Sequence, residues 1–242
     1  MENLRYKFGI FKNGFTLAEV LITLVIIGVV AALTIPTAIA KYQKTQTPIR
    51  LKKAYSTFAQ AVTRAVAEYG SIESWELGAD RTAQAADDFF DKYLKPYLRV
   101  DKDCMHSTSG VCDFHYCFLD GTNCASLDSR YKRFYISDGT MIAMLIINQS
   151  DTKQVSTIID INGTKGPNLQ GKDVFQFSYY ILSSADATGK FIPYYGYGLS
   201  VDTLLNSTTS GSCNKSAVYQ AGLGCPAVIM MSGWKLPDNY PW

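Results

Sequence analysis

Three sets of residues have the types and spacing to do chemistry. The first is a lone carboxylate, Glu19, the single charge in an apolar run from Phe15 to Ile35. A carboxylate in hydrocarbon costs about 2.5–3.5 kcal/mol at mid-membrane and less near an end. It therefore calls for a positive partner, and a helix N-terminus also favours its charge. The second set is six cysteines: Cys104, Cys112, Cys117, Cys124, Cys213 and Cys225. An even count without CxxC suits disulfides rather than a zinc ribbon or a redox motif. The local assignment closes Cys213 on Cys225, a bridge worth about 3 kcal/mol, and leaves the other four to pair within 104–124. His106 and His115 are interleaved with those four, so a metal centre is the alternative. The third set is Asp160, Asn162, Asn168 and Asp173, oxygen donors set around Gly163 and Gly166. Such donors suit calcium, the one cofactor the sequence suggests. Lys165 and Lys172 work against a cation and no bidentate Glu follows, so the plain alternative is an Asx/Gly-built connection between strands.

Enzyme chemistry has no comparable signal. There is no GxSxG, HExxH or phosphate loop. Asp87, Asp88 and Asp91 read as the solvated face of a helix rather than an acid/base pair. No catalytic residue is expected. A net charge of +2 and 18% charged residues exclude an electrostatically driven nucleic-acid binder as the default, and the hydrophobic content of 47% is that of a globular chain.

These groups need elements to hold them. As a helix, Phe15–Ile35 would be about 31 Å long, against a hydrocarbon core of about 30 Å. Before it, MENLRYKFGIFKNG carries Arg5, Lys7 and Lys12 against Glu2. A secretory signal is cut after its apolar region. Here the small residue, Gly14, precedes it, so the apolar segment is expected to be retained.

Gly14-Phe15-Thr16-Leu17-Ala18-Glu19, continued in phase by the apolar run, resembles the processing site of type IV pilins and type II secretion pseudopilins. The resemblance covers residues 14 to about 70, and Pro36 sits where that family often has a helix-distorting proline. It implies that prepilin peptidase cuts after Gly14 and methylates Phe15. It also implies that Glu19 is the assembly residue, meeting the Phe15 amine of a neighbouring subunit. The function implied is a structural subunit, minor or family-expanded, of a type IV pilus-like or type II secretion filament. Its partners would be prepilin peptidase, other pilin or pseudopilin subunits, the assembly platform and the membrane. Before assembly the chain would span the inner membrane once, N-terminus in the cytoplasm and C-terminal domain outside. Lys41, Lys44, Arg50, Lys52 and Lys53 beyond the apolar run oppose that orientation on charge alone. The even cysteine count favours it. The competing reading is a membrane-anchored binding module or adhesin, using Tyr194-Tyr195-Gly196-Tyr197 to stack on a ligand.

Past the membrane segment, Leu51, Tyr55, Phe58, Val62, Ala65, Val66 and Tyr69 follow helical spacing, and Gly70 is a stop. Pro48 is expected to kink or break that helix. Asp80–Lys95 reads as a second helix ending before Pro96. Strands are expected at 134–136 and 141–147 around Ser137-Asp138-Gly139, then at 155–161 and 174–182. A Gly/Tyr-rich loop (191–198), a short helical turn (227–231) and an extended piece (233–236) complete the pattern. The predicted organisation is a leader (1–14), a transmembrane or filament-core helix (15–36), an amphipathic continuation (37–70) and an extracytoplasmic domain with cysteine loops (71–242). The fold class is α+β: a long N-terminal helix, membrane-spanning in its first half, packed on a mainly antiparallel sheet.

Overall fold

The computed structural model describes residues 14–182 and 187–242. The leader expected over 1–14 lies outside them except for Gly14. The chain divides into two compact units, 1–43 and 44–242.

Helix α1 spans Leu17–Tyr69. In the first unit its side chains are exposed, Ala31 alone being half-buried. Phe15 is 87% exposed and Leu33 72%. Among the described residues, α1 is the one helix long and apolar enough to cross a membrane. In the second unit burial begins at Thr47 and Pro48. It recurs at Leu51, Ala54, Phe58, Ala61, Val62 and Ala65, the three- and four-residue spacing of a helix with one face on a core.

The break expected at Pro48 does not occur: α1 is helical straight through it. Proline has no N–H to give the carbonyl four residues back. Here Pro48 is itself buried beside Leu51, and the Thr47 hydroxyl donates to the Lys172 carbonyl at 3.3 Å. Packing offsets the lost hydrogen bond.

The sheet has six antiparallel strands in the order β1 (Val100–Met105), β4 (Lys132–Ile136), β5 (Met141–Asn148), β6 (Lys153–Asp160), β7 (Val174–Leu182) and β8 (Lys190–Pro193). A separate hairpin pairs β2 (His115–Cys117) with β3 (Cys124–Ser126). β5 and β6 are buried along nearly their whole length, so both faces of the sheet centre are covered. On one face Phe177 and Phe191 meet α1. The Phe58 and Phe191 ring centroids are 4.8 Å apart and those of Tyr55 and Phe191 are 5.1 Å apart. The Tyr55 hydroxyl donates to the Phe191 carbonyl at 2.8 Å. On the other face the cysteine loop lies across β4. Arg133, fully buried, donates to the carbonyls of Cys112, Leu127 and Asp128, and the Tyr135 hydroxyl donates to that of Val111. Between them Phe134 turns the opposite way onto the Phe90 ring, centroids 4.5 Å apart.

Several elements differ from expectation. The second helix starts later: Arg81 has φ +50°, and Thr82 caps by accepting from the Ala85 amide. Helix α2 (Ala83–Phe89) then widens into a π-turn (Phe90–Leu94) and tightens into a 3-10 turn (Lys95–Tyr97). Pro96 therefore sits inside a first turn, where its missing N–H costs nothing. The β4–β5 connection uses the expected residues. Gly139 takes φ +83° and Asp138 accepts from the Thr140 amide. The 191–198 loop begins with strand β8, and the extended piece expected at 233–236 is a turn in which Trp234 has φ +61°. Helices α3 (Val201–Asn206) and α4 (Cys225–Met231) complete the domain.

Phe58 is fully buried where α1 meets the sheet. Phe58→Ala should cost about 3–5 kcal/mol, read as a lower urea midpoint for the full chain in detergent. Ile49→Ala, at an exposed position of the same helix, should move it by less than about 0.5 kcal/mol.

Candidate functional site

The residues expected to serve processing and assembly form one local structure at the start of α1. Thr16 precedes the first helical residue and Glu19 lies three positions on. The Thr16 amide and hydroxyl both donate to Glu19 Oε2 at 2.8 Å, and the Glu19 amide donates to Thr16 Oγ1 at 3.2 Å. This is a capping box: each residue satisfies a donor that the helix start leaves free. Oε2 is thereby occupied, while Oε1 accepts no hydrogen bond among the described residues. Gly14 and Phe15, on either side of the expected cut, are exposed. An amine created at Phe15 would lie one residue before Thr16, at the end of the chain where Glu19 is already tied down.

The cysteines form three bridges: Cys104–Cys112, Cys117–Cys124 and Cys213–Cys225. No free thiol remains, so no cysteine is left to join His106 and His115 in a metal centre. His115 Nε2 lies 2.9 Å from Asp113 at the surface. Cys117–Cys124 joins facing positions of the β2–β3 hairpin.

The oxygen-rich loop begins at the end of β6. Asp160 pairs in register with Val174, and the Ile161 amide donates to the Asp173 carbonyl at 3.0 Å, so Asp160 and Asp173 are brought together across the ladder. Asp160 Oδ1 accepts from the amides of Asn162 and Gly163 at 3.0 Å. Asp173 Oδ1 accepts from the Leu169 amide at 2.5 Å, and its Oδ2 accepts from the Asn168 amide at 3.0 Å and from Asn162 Nδ2 at 3.3 Å. Three buried oxygens have no partner: Asp160 Oδ2, Asn162 Oδ1 and Asn168 Oδ1. Burial pushes the Asp160 carboxyl up to about 8, with repulsion from Asp173 adding to it and the two amide hydrogen bonds opposing it. Burial also raises Asp173. Gly163 has φ +65°, and a Cβ there would lie 2.5 Å from the Gly139 carbonyl, so the loop closes tightly on the β4–β5 turn. Among the described residues no three His, Cys, Asp or Glu side chains cluster to hold a metal. Here half of the four donors are amides.

Two families match the chain. The prokaryotic N-terminal methylation motif matches residues 11–35, and the family of unknown function DUF6613 matches residues 37–242. The chain belongs to the DUF6613 family. With the methylation motif ahead of it, the DUF6613 region stands in a pilin- or pseudopilin-type substrate of prepilin peptidase. No curated protein and no solved structure matches the chain.

The DUF6613 region holds one cluster that sequence reasoning missed. Asp87 was expected on a solvated face, yet it is three-quarters buried. His106 Nε2 lies 2.6 Å from its Oδ2, and Lys132 Nζ lies 2.9 Å from its Oδ1 and 2.9 Å from Asp103. Lys132 is 2% exposed and stands over the Phe90 ring, 5.0 Å from its centroid. No signal for it was legible in the sequence, because the strand was expected only from Phe134 and the structure starts it at Lys132; a buried sheet admits a lysine only with anionic partners. Burial works to raise Asp87, but hydrogen bonds from Lys132 and His106 outweigh it and hold the carboxyl below the usual range. A depressed folded pKa contributes stability above the unfolded value, about 3.9, and loses it as pH falls through the folded one. Asp87→Asn should therefore cost about 2 kcal/mol at neutral pH. In melts recorded against pH, the gap from wild type should close below about pH 4.

Proposed function

We propose that the protein is a structural subunit, minor or family-expanded, of a type IV pilus-like or type II secretion filament. The observation that carries this reading is Glu19, capped at the start of a helix whose first-unit side chains are apolar and exposed. Lipid solves the exposure of such a helix before assembly, and like helices solve it afterwards through packing and an interhelical ionic contact. The free Oε1 of Glu19 suits the Phe15 amine of a neighbour. Prepilin peptidase is the maturing enzyme, and the assembly platform and other subunits are the partners. The chain sits in the inner membrane with its C-terminal domain outside until it enters the filament. Three bridges and no free thiol suit that oxidising side. Which of the two filament systems it serves follows from which assembly platform it requires.

The alternative, an anchored binding module using the aromatic 194–197 run, has less support. The Tyr195 ring packs against Gly211, where a Cβ would come within 3.1 Å of it, and Tyr194 is half-buried. The run is built into the domain rather than presented as a flat aromatic surface.

Mass spectrometry of the native N-terminus is the first test. The expected species begins at a methylated Phe15; a chain retaining Met1 would refute processing. For assembly, Glu19→Ala should leave cleavage and membrane insertion intact while reducing the filament-associated fraction at least tenfold. Unchanged recovery in sheared filaments would refute the assembly role of Glu19.

A further inference from the structure

We propose that the recess formed by α1, β1, the β4–β5 turn and the 161–165 loop binds a phosphate monoester on a small organic body, held by Arg50, Lys102 and Lys165. The proposal does not rest on the filament reading, and the recess lies wholly within the second unit.

Charge is the first ground. Six charged side chains line this open recess of about 500 Å³: Arg50, Lys53, Lys102 and Lys165 against Asp101 and Asp138, a net charge of +2. Asp138 is already matched. Its Oδ2 lies 2.9 Å from Lys53 Nζ, and its Oδ1 accepts from the Thr140 amide at 3.1 Å. Among the described residues, Arg50, Lys102 and Lys165 form no ion pair. Asp101 is the one carboxylate of the lining left to face these three cations. Like charges gathered in a hollow repel one another and focus their field on an anion. A phosphate monoester brings about two negative charges at neutral pH and three strong acceptor oxygens. It therefore matches both the net charge and the number of free cations. The Arg50 guanidinium adds a planar fork that takes two phosphate oxygens at once. A lone carboxylate would leave part of the charge uncompensated.

Placement is the second ground, and Tyr135 is its hub. Lys102 stands opposite Tyr135 in the register of the β1–β4 ladder, which sets the two side chains on one face. The Tyr135 hydroxyl is tied to the Val111 carbonyl at 2.6 Å. Gly163 comes so near that a Cβ there would lie 3.3 Å from the Tyr135 ring, and this approach brings Lys165, two residues on, to the same recess. Arg50 and Lys53 are neighbours three residues apart on α1, and the Lys53–Asp138 pair fastens that part of α1 to the β4–β5 turn. The free cations are thus delivered by a helix, a strand and a loop closed on one ring. Tyr135, Val111 and Ile161 add apolar wall. A bare phosphate ion leaves that wall uncovered, whereas the carbon body of a sugar phosphate covers it. A free sugar phosphate and the phosphorylated headgroup of a lipid share this chemistry.

The test uses the full-length protein in phosphatidylcholine nanodiscs. Calorimetry with glucose 1-phosphate should show one site per chain at or below millimolar concentration, weakening as salt is raised. Glucose should not bind, and glucuronate should bind at least about tenfold more weakly, having one negative charge where the phosphate has two. Arg50→Gln and Lys165→Gln should each weaken binding at least about tenfold, the loss of one charge-assisted hydrogen bond. Both side chains are exposed, so the melting temperature should not move. Lys52→Gln, exposed on α1 but outside the recess, should bind as wild type does. Asp138→Asn should tighten binding by releasing Lys53, an effect that a merely structural role for the pair would not produce. Phosphatidic acid added to the nanodiscs separates the two sources. Competition with glucose 1-phosphate assigns the recess to a lipid headgroup, and undiminished binding assigns it to a free phosphate ester. No binding of glucose 1-phosphate at millimolar concentration, equal affinity for glucuronate, or wild-type affinity in the Arg50 and Lys165 variants would overturn the site.

Discussion

Everything in this protein answers to one constraint: an apolar helix surface has to be covered. From Thr47 to Ala65, α1 meets it by burying one face against the sheet. From Leu17 to Ile39 its large apolar side chains are exposed among the described residues. At about 25 cal/mol per Å², leaving that many aliphatic groups in water would cost more than a domain's whole net stability, which is about 5–15 kcal/mol. The segment must sit in lipid or against other helices. Glu19 follows from the same constraint. In a water-free setting its charge is expensive, and the Thr16 cap reduces that expense without closing off its second oxygen. In the proposed filament, its second oxygen is the one a neighbour's amine would meet.

The sheet poses the same problem in two dimensions. β5 and β6 are buried on both faces, so one helix cannot suffice. The second cover is an irregular stretch between β1 and β4. An irregular cover has few backbone hydrogen bonds of its own and much conformational entropy to lose. Two bridges tie it down, Cys104–Cys112 joining it to β1 and Cys117–Cys124 crossing its short β2–β3 hairpin, and both restrict the unfolded chain there. Arg133 completes the attachment from beneath, satisfying the carbonyls of Cys112, Leu127 and Asp128, which lie outside the β2–β3 ladder.

Legibility in the sequence followed from how local the governing interaction was. The apolar run, the Gly14-to-Glu19 motif and the four central strands could be read because periodicity and spacing carry them. The antiparallel α+β architecture followed from their order. Elements governed by long-range packing could not. Pro48 looked like a break because its burial beside Leu51 is invisible along the chain. The charged strand β1, VDKDCM, was not among the expected strands because its pairing partner lies about thirty residues away at β4. Asp87 looked solvated because Lys132 and His106, its partners, are supplied by other elements. At the oxygen-rich loop the sequence showed the donors. It could not show that Asp160 is buried or that three oxygens lack partners.

The two family matches meet near Pro36, between residues 35 and 37, yet α1 runs unbroken across that point. The boundary is therefore one of constraint rather than of structure. On its N-terminal side the residues answer to processing, lipid and neighbouring helices, a set of demands that any chain handled by the same machinery must meet. On its C-terminal side they answer to one particular core: Phe58 against Phe191, Arg133 under the cysteine loop, Asp160 against Asp173. One helix thus carries two different sets of contacts along its length.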